Sequence, residues 1–161
     1  GCLTEEYAVE LFERHKVMTR VELTSRQEVG YEAYAKAINI EARTMIDMTK
    51  KEIIPAVIKY TTTVAQSVTA VKAVGADASV QEASLADISK NLVAMNAALE
   101  KLEAATDKAA SIEEPKAQAI AYRDEVFTTM SELREPADAL EMLVDKSVWP
   151  FPTYGDLLFN V

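Results

Sequence analysis

A chain of 161 residues with a formal net charge of −9 and a pI near 4.7 repels nucleic acid and anionic lipid surfaces, and no basic patch reverses that field. Hydrophobic residues make up 49% and charged residues 27%, with only four Gly and five Pro, a composition typical of long helices in one domain with a sizeable core. No run of about 20 apolar residues and no signal peptide is apparent, while the single Cys2 excludes an internal disulfide and fits a reducing cytoplasm.

In chain order, the pattern first predicts a short helix from Thr4 to His15, capped by Thr4, with Ala8, Leu11, Phe12 and His15 on one face. Thr19-Arg20-Val21-Glu22 reads as a capping box that opens a second helix. This helix continues to Val74 almost without punctuation. Tyr31, Tyr34, Ile38, Ala42 and Met45 recur at helical spacing in its first half. Ile53, Val57, Tyr60, Val64, Val68 and Val71 do so in its second. Pro55 lies inside the run and predicts a kink near residues 51–54. At about 80 Å, such a helix is long for one small domain, and part of it is expected to project toward something else.

Gly75 suits a helix C-cap, with Asp77 or Ser79 as the next N-cap. The following helix carries the cleanest seam: Leu85, Ile88, Leu92, Met95, Leu99 and Leu102. Pro115 is well placed in the first turn of a third long helix, which runs to about Lys146. Its face is Ala119, Tyr122, Val126, Met130, Leu133, Ala137, Leu140 and Val144. Pro136 is expected to bend or divide it.

The end changes character. Trp149-Pro150-Phe151-Pro152-Thr153-Tyr154-Gly155-Asp156-Leu157-Leu158-Phe159 is aromatic and twice proline-locked, so an extended run with a turn near Tyr154-Gly155-Asp156 is expected. The expected fold is therefore all-α: an antiparallel bundle of three long helices, up-down-up, plus a short N-terminal helix and a non-helical aromatic and proline-rich C-terminal tail. Residues 1–148 form the bundle domain. Residues 149–161 form a tail that packs on the bundle or on a partner domain.

Catalytic chemistry finds little support. His15 has no second His for a zinc site, and Phe12 stands where a di-iron bundle would need Glu. It reads as structural or partly exposed. Cys2 has no neighbouring base and reads as an ordinary free thiol. The four glycines form no phosphate loop. Glu5/Glu6, Glu113/Glu114 and Asp124/Glu125 are adjacent on helices, so their side chains diverge by about 100° and do not converge on a substrate. Met45, Met48, Met95, Met130 and Met142 sit at or beside core spacing. No catalytic, cofactor or metal residue is assigned. The candidate interaction residues are Trp149, Phe151, Tyr154, Leu157, Leu158 and Phe159, because aromatic side chains held by prolines lose little entropy on docking.

The stretch Trp149–Phe159 also resembles the C-terminal signature of type III glutamine synthetases. So do Ala121-Tyr-Arg-Asp-Glu-Val-Phe127, Glu10-Leu-Phe-Glu-Arg-His-Lys-Val17, Ile38-Asn-Ile-Glu-Ala42 and Lys50-Lys-Glu-Ile-Ile-Pro-Ala56, in the same order. The middle, about 76–111, is similar only in being helical and polar. The resemblance implies a parent glutamate–ammonia ligase that uses ATP and Mg2+ or Mn2+ in upstream domains and assembles into a homo-oligomeric ring, a dodecamer. The matching region is the helical C-terminal extension, none of whose residues is catalytic. Its implied partners are the upstream catalytic domain and neighbouring subunits, without nucleic acid or membrane. The chain opens on Gly1 and not on Met, which agrees with a piece of something longer. Two other readings stand beside this one. One is a free-standing adaptor that binds a helix along the Leu85–Leu102 seam. The other is a ligand-sensing module with a pocket near Tyr31, Tyr34 and Met45.

Overall fold

The computed structural model describes residues 2–159, apart from the side chain of Tyr154. A 3-10 turn at Cys2–Thr4 leads into α1 (Glu6–Arg14), α2 (Arg20–Met48), α3 (Ile54–Ala73), α4 (Ser79–Ala110), α5 (Pro115–Ala121), α6 (Phe127–Leu143) and α7 (Tyr154–Phe159). No strand occurs among the described residues. The fold is all-α, as the periodicity predicts.

Ion pairs report the direction of the helices. Arg43–Asp107, Lys50–Glu103 and Lys72–Glu82 run α2 and α3 antiparallel to α4, while Lys101–Glu132 and Lys108–Glu125 run α4 antiparallel to the helix after it. The up-down-up order is therefore present. All of these groups are largely solvated, so each pair adds only about 0–1 kcal/mol. The bundle is held by its core: Ala42, Val57, Ile88, Met95, Leu102, Val126 and Leu140 are sealed from solvent, each worth roughly 1.5–3 kcal/mol for a large side chain.

Two wide π-type turns interrupt otherwise continuous helices, at Thr49–Ile53 and Tyr122–Val126. The first joins α2 to α3 and sets Pro55 in the first turn of α3, where the missing N–H costs little. Both turns share a further cause. Buried positions there recur at successive fours: Thr49, Ile53, Val57 in one and Tyr122, Val126, Met130 in the other. At 3.6 residues per turn each step of four overshoots by about 40°. An i→i+5 turn takes more residues to come round and keeps all three on the core face. Pro136, expected to bend or divide its helix, sits inside an α6 that runs unbroken from Phe127 to Leu143; the division comes earlier, at the wide turn.

The caps are mixed. Thr19 and Glu22 form the expected capping box, and the Thr19 amide donates to the Glu22 carboxylate at 2.7 Å. Glu22 is accordingly held below its ordinary pKa, chiefly by the hydrogen bond from the Thr19 backbone and then by that from the Thr19 hydroxyl. Gly75 ends α3 at φ 75°, with Ala76 N–H donating to Val71 O, the left-handed C-cap that Gly tolerates best. Lys16 closes α1 in the same way at φ 52° without being Gly. Thr4 does not cap α1. That helix begins at Glu6, and the Thr4 hydroxyl donates instead to Gln27 of α2. Nor do Asp77 or Ser79 cap α4: the N-cap position is Ala78, and Asp77 accepts from the Ser79 amide. The buried side of α1 is Ala8 and Val9, with Leu11 half exposed and His15 exposed, so the predicted face is rotated by about one residue.

Candidate interaction surface

The C-terminal tail is built in two halves. Helix α6 stops when Val144 turns extended at ψ 142°. Asp145 then organises a turn: its carboxylate accepts from the Ser147 amide at 2.7 Å and from the Ser147 hydroxyl, and its carbonyl accepts from Val148 and Trp149. The Ser147 hydroxyl, then its amide, hold the Asp145 carboxyl below the usual carboxylate range. The turn delivers Trp149 into the main core, 9% exposed, with Val148 and Phe151 packed against the same cluster. Pro150 and Pro152 keep Trp149 and Phe151 out of helical conformation. The tail is thus non-helical through Pro152, as expected.

Beyond Pro152 it is not. Thr153 and Asp156 form a capping box, with Thr153 N–H donating to Asp156 at 3.0 Å and Asp156 N–H to the Thr153 hydroxyl at 3.3 Å. They open α7 where a turn was expected. Lys146 also ion-pairs with Asp156, tying the short helix back to the end of the bundle. The Lys146 ammonium first, then the Thr153 hydroxyl and amide, lower the Asp156 pKa to about 2.

The six candidate residues therefore separate. Trp149 and Phe151 face inward. Leu157, Leu158 and Phe159 are 69%, 74% and 81% exposed on α7. The side chain of Tyr154 lies outside the described residues. Three adjoining apolar side chains that exposed are a surface feature in need of a partner.

The other candidates are dispersed. His15 and Cys2 are exposed. Each adjacent acidic pair is used separately: Glu6 pairs with Arg20, Glu114 caps α5, Asp124 pairs with Arg123 and Glu125 with Lys108. Among the described residues no three His, Cys, Asp or Glu are grouped to hold a metal. The seam Leu85–Leu102 points into the bundle, with Ile88, Met95, Leu99 and Leu102 buried. Tyr31 lines a shallow groove with Thr4, Gln27 and Pro115 in which neither Tyr34 nor Met45 takes part. Tyr34 is 39% exposed and Met45 packs on the core. One feature escaped the sequence: a groove of about 300 Å³ lined by Ile54, Ile58, Leu92, Val93 and Asn96. Its signal was the interval from Lys59 to Lys72, which holds no other charge. No helix of the described residues is long and apolar enough to cross a membrane.

Comparison with known proteins agrees with the resemblance carried by the motifs. Residues 2–72 match the family described as the glutamine synthetase C-terminal domain. A glutamine synthetase of Butyrivibrio fibrisolvens is 32% identical over 156 residues, 96% of this chain and 22% of the relative. A type-3 glutamine synthetase of Dictyostelium discoideum is 27% identical over 163 positions, 98% of this chain and 22% of the relative. A glutamine synthetase of Bacteroides fragilis is 27% identical over 151, covering 90% and 21%. The chain thus spans about a fifth of the length of these relatives. Over that span, it resembles the helical C-terminal region of a type III glutamine synthetase.

Proposed function

We propose that this chain is the structural and assembly domain at the C-terminal end of a glutamine synthetase, a glutamate–ammonia ligase of nitrogen assimilation, and that it takes no part in the chemistry. The observation that carries the assembly role is the exposed apolar trio Leu157, Leu158 and Phe159, held on a helix that Lys146, Thr153 and Asp156 fix against the bundle. An apolar trio presented this way is the kind of surface a partner covers. Its partners are the upstream catalytic domain and neighbouring subunits of a homo-oligomeric ring in the cytoplasm. The family resemblance assigns the ATP and the Mg2+ or Mn2+ of the reaction to that upstream domain.

Two observations weigh against the alternatives. An adaptor reading along the Leu85–Leu102 seam needs an exposed stripe, and four of the six seam residues are buried and the other two half-buried. A sensor reading places a pocket near Tyr31, Tyr34 and Met45, and the groove at Tyr31 is lined by neither of the other two.

The test is made in the full-length polypeptide. Leu157→Asp with Leu158→Asp should lower the assembled fraction, seen by native mass spectrometry, while circular dichroism stays unchanged. Unaltered assembly together with unaltered melting overturns the reading.

A further inference from the structure

Charge is distributed unevenly along this molecule. Residues 54–99, which comprise most of α3, the Gly75 turn and the first two thirds of α4, hold three lysines and three acidic side chains. The whole −9 therefore resides on the remainder. Within this hairpin the twelve residues from Tyr60 to Val71 carry no charge and none of them is buried. A surface helix usually opposes an apolar stripe with charged residues, and depletion of charge is a mark of an interface centre.

The bare face has a shape as well as a composition. Beside the groove of Ile54, Ile58, Leu92, Val93 and Asn96, a second, open depression lies further along α3, lined by Thr62, Ala65, Thr69 and Ala73 among others. Ile58 is 50% and Val93 71% exposed. Small side chains beyond them allow close approach of another pair of helices.

The charges that remain select the occupant. Lys59 lies one turn before Thr62, and Lys90 one turn before Val93, both in the half of the hairpin away from its tip. Among the described residues neither takes part in an ion pair. Asp77 sits at the tip, exposed, where it accepts hydrogen bonds from Ser79 and has no cationic partner among the described residues. Asp87, also exposed, lies one turn nearer the tip than Lys90, and Lys72 and Glu82 pair with each other; the hairpin is thus cationic in its lower half and anionic toward its tip. A surface with that polarity complements itself when reversed, which is the condition for a two-fold contact between identical chains. Reversal also places the two −9 bodies at opposite ends, where their repulsion is smallest.

We propose that the α3–α4 hairpin docks antiparallel on the same hairpin of a second copy, forming a four-helix contact with Lys59 and Lys90 of each copy facing Asp77 of the other. The inference deepens the assembly reading and rests on it; it names a second contact surface, distinct from α7.

The experiment is sedimentation velocity of the 161-residue chain across a concentration series, beside circular dichroism to follow the fold. The wild type should pass from the 17.7 kDa monomer to a dimer. Val93→Glu, at an exposed position, should weaken dimerisation at least about tenfold with helix content unchanged. Lys59→Glu with Lys90→Glu should do the same, and adding Asp77→Lys should restore it. A wild type that stays monomeric at all concentrations overturns the hairpin contact. So does a dimer indifferent to Val93→Glu and to the lysine reversal. If that indifferent dimer is instead lost on Leu158→Asp, α7 is the contact: the assembly reading stands and only the hairpin falls.

Discussion

The hairpin formed by α3 and the first half of α4 and the body formed by α2, α5, α6 and the second half of α4 use the same helical periodicity toward different ends. In the body, α4 buries Met95, Ala98, Leu99, Leu102, Thr106 and Ala109, and α6 covers them with Met130, Leu133 and Leu140. In the hairpin, Val64 and Val68 stand at equally good spacing but are only half buried, because α6 ends at Leu143. The difference teaches that an apolar stripe measures what a helix wants covered. How much of that cover lies within the same chain is decided by the lengths of the neighbouring helices.

Substitutions should separate the two regions sharply. Leu102→Ala, at 0% exposure, should cost about 2–5 kcal/mol in chemical denaturation. Val68→Ala should cost less than about 1 kcal/mol in the isolated chain, and clearly more in the assembled protein. Equal losses at the two sites would erase the distinction. Next in size is Trp149→Ala, which removes the tail's anchor from the core and should cost about 3 kcal/mol, with loss of its buried fluorescence.

A pH effect comes next. The folded pKa of Asp156 is depressed to about 2, so its contribution to tail docking is fully present above its unfolded value. It is lost as pH falls from about 4 toward about 2. Trp149 fluorescence should report the release of the tail over that range, and Lys146→Met should move the transition upward. A tail signal flat through the range would sever the link between α7 and the bundle end. Smallest are two gains. Gly30 is exposed in the middle of α2 with nothing within 4 Å of an added Cβ, and Gly30→Ala should stabilise by about 0.5–1 kcal/mol. Lys16→Gly should stabilise by a few tenths to about 1 kcal/mol by relieving a left-handed residue.

Much of this arrangement was legible because it is local. The Thr19–Glu22 box, the Gly75 cap and Pro115 each act within one turn, so spacing suffices to find them. The wide turns were hidden. Their signal is a phase lag between successive buried positions, and it means something only once the identity of the buried residues is known. Pro136 misled because the helix around it is supported by Leu133 and Leu140 in the core, which compensates for one missing hydrogen bond. At the tail, two prolines drew attention away from Thr153 and Asp156, a short capping box three residues apart. The apolar trio was found by its chemistry. Its separation from Trp149 and Phe151 was not, since only the turn at Asp145 decides which aromatic goes inward.

The most direct measurement is amide hydrogen exchange on the isolated chain and on the full-length assembled protein. The account predicts that residues 60–90 and α7 exchange quickly in the isolated chain and become protected on assembly, while α6 and residues 95–109 of α4 are protected in both. Hairpin and α7 amides that exchange equally fast in the assembly would contradict it.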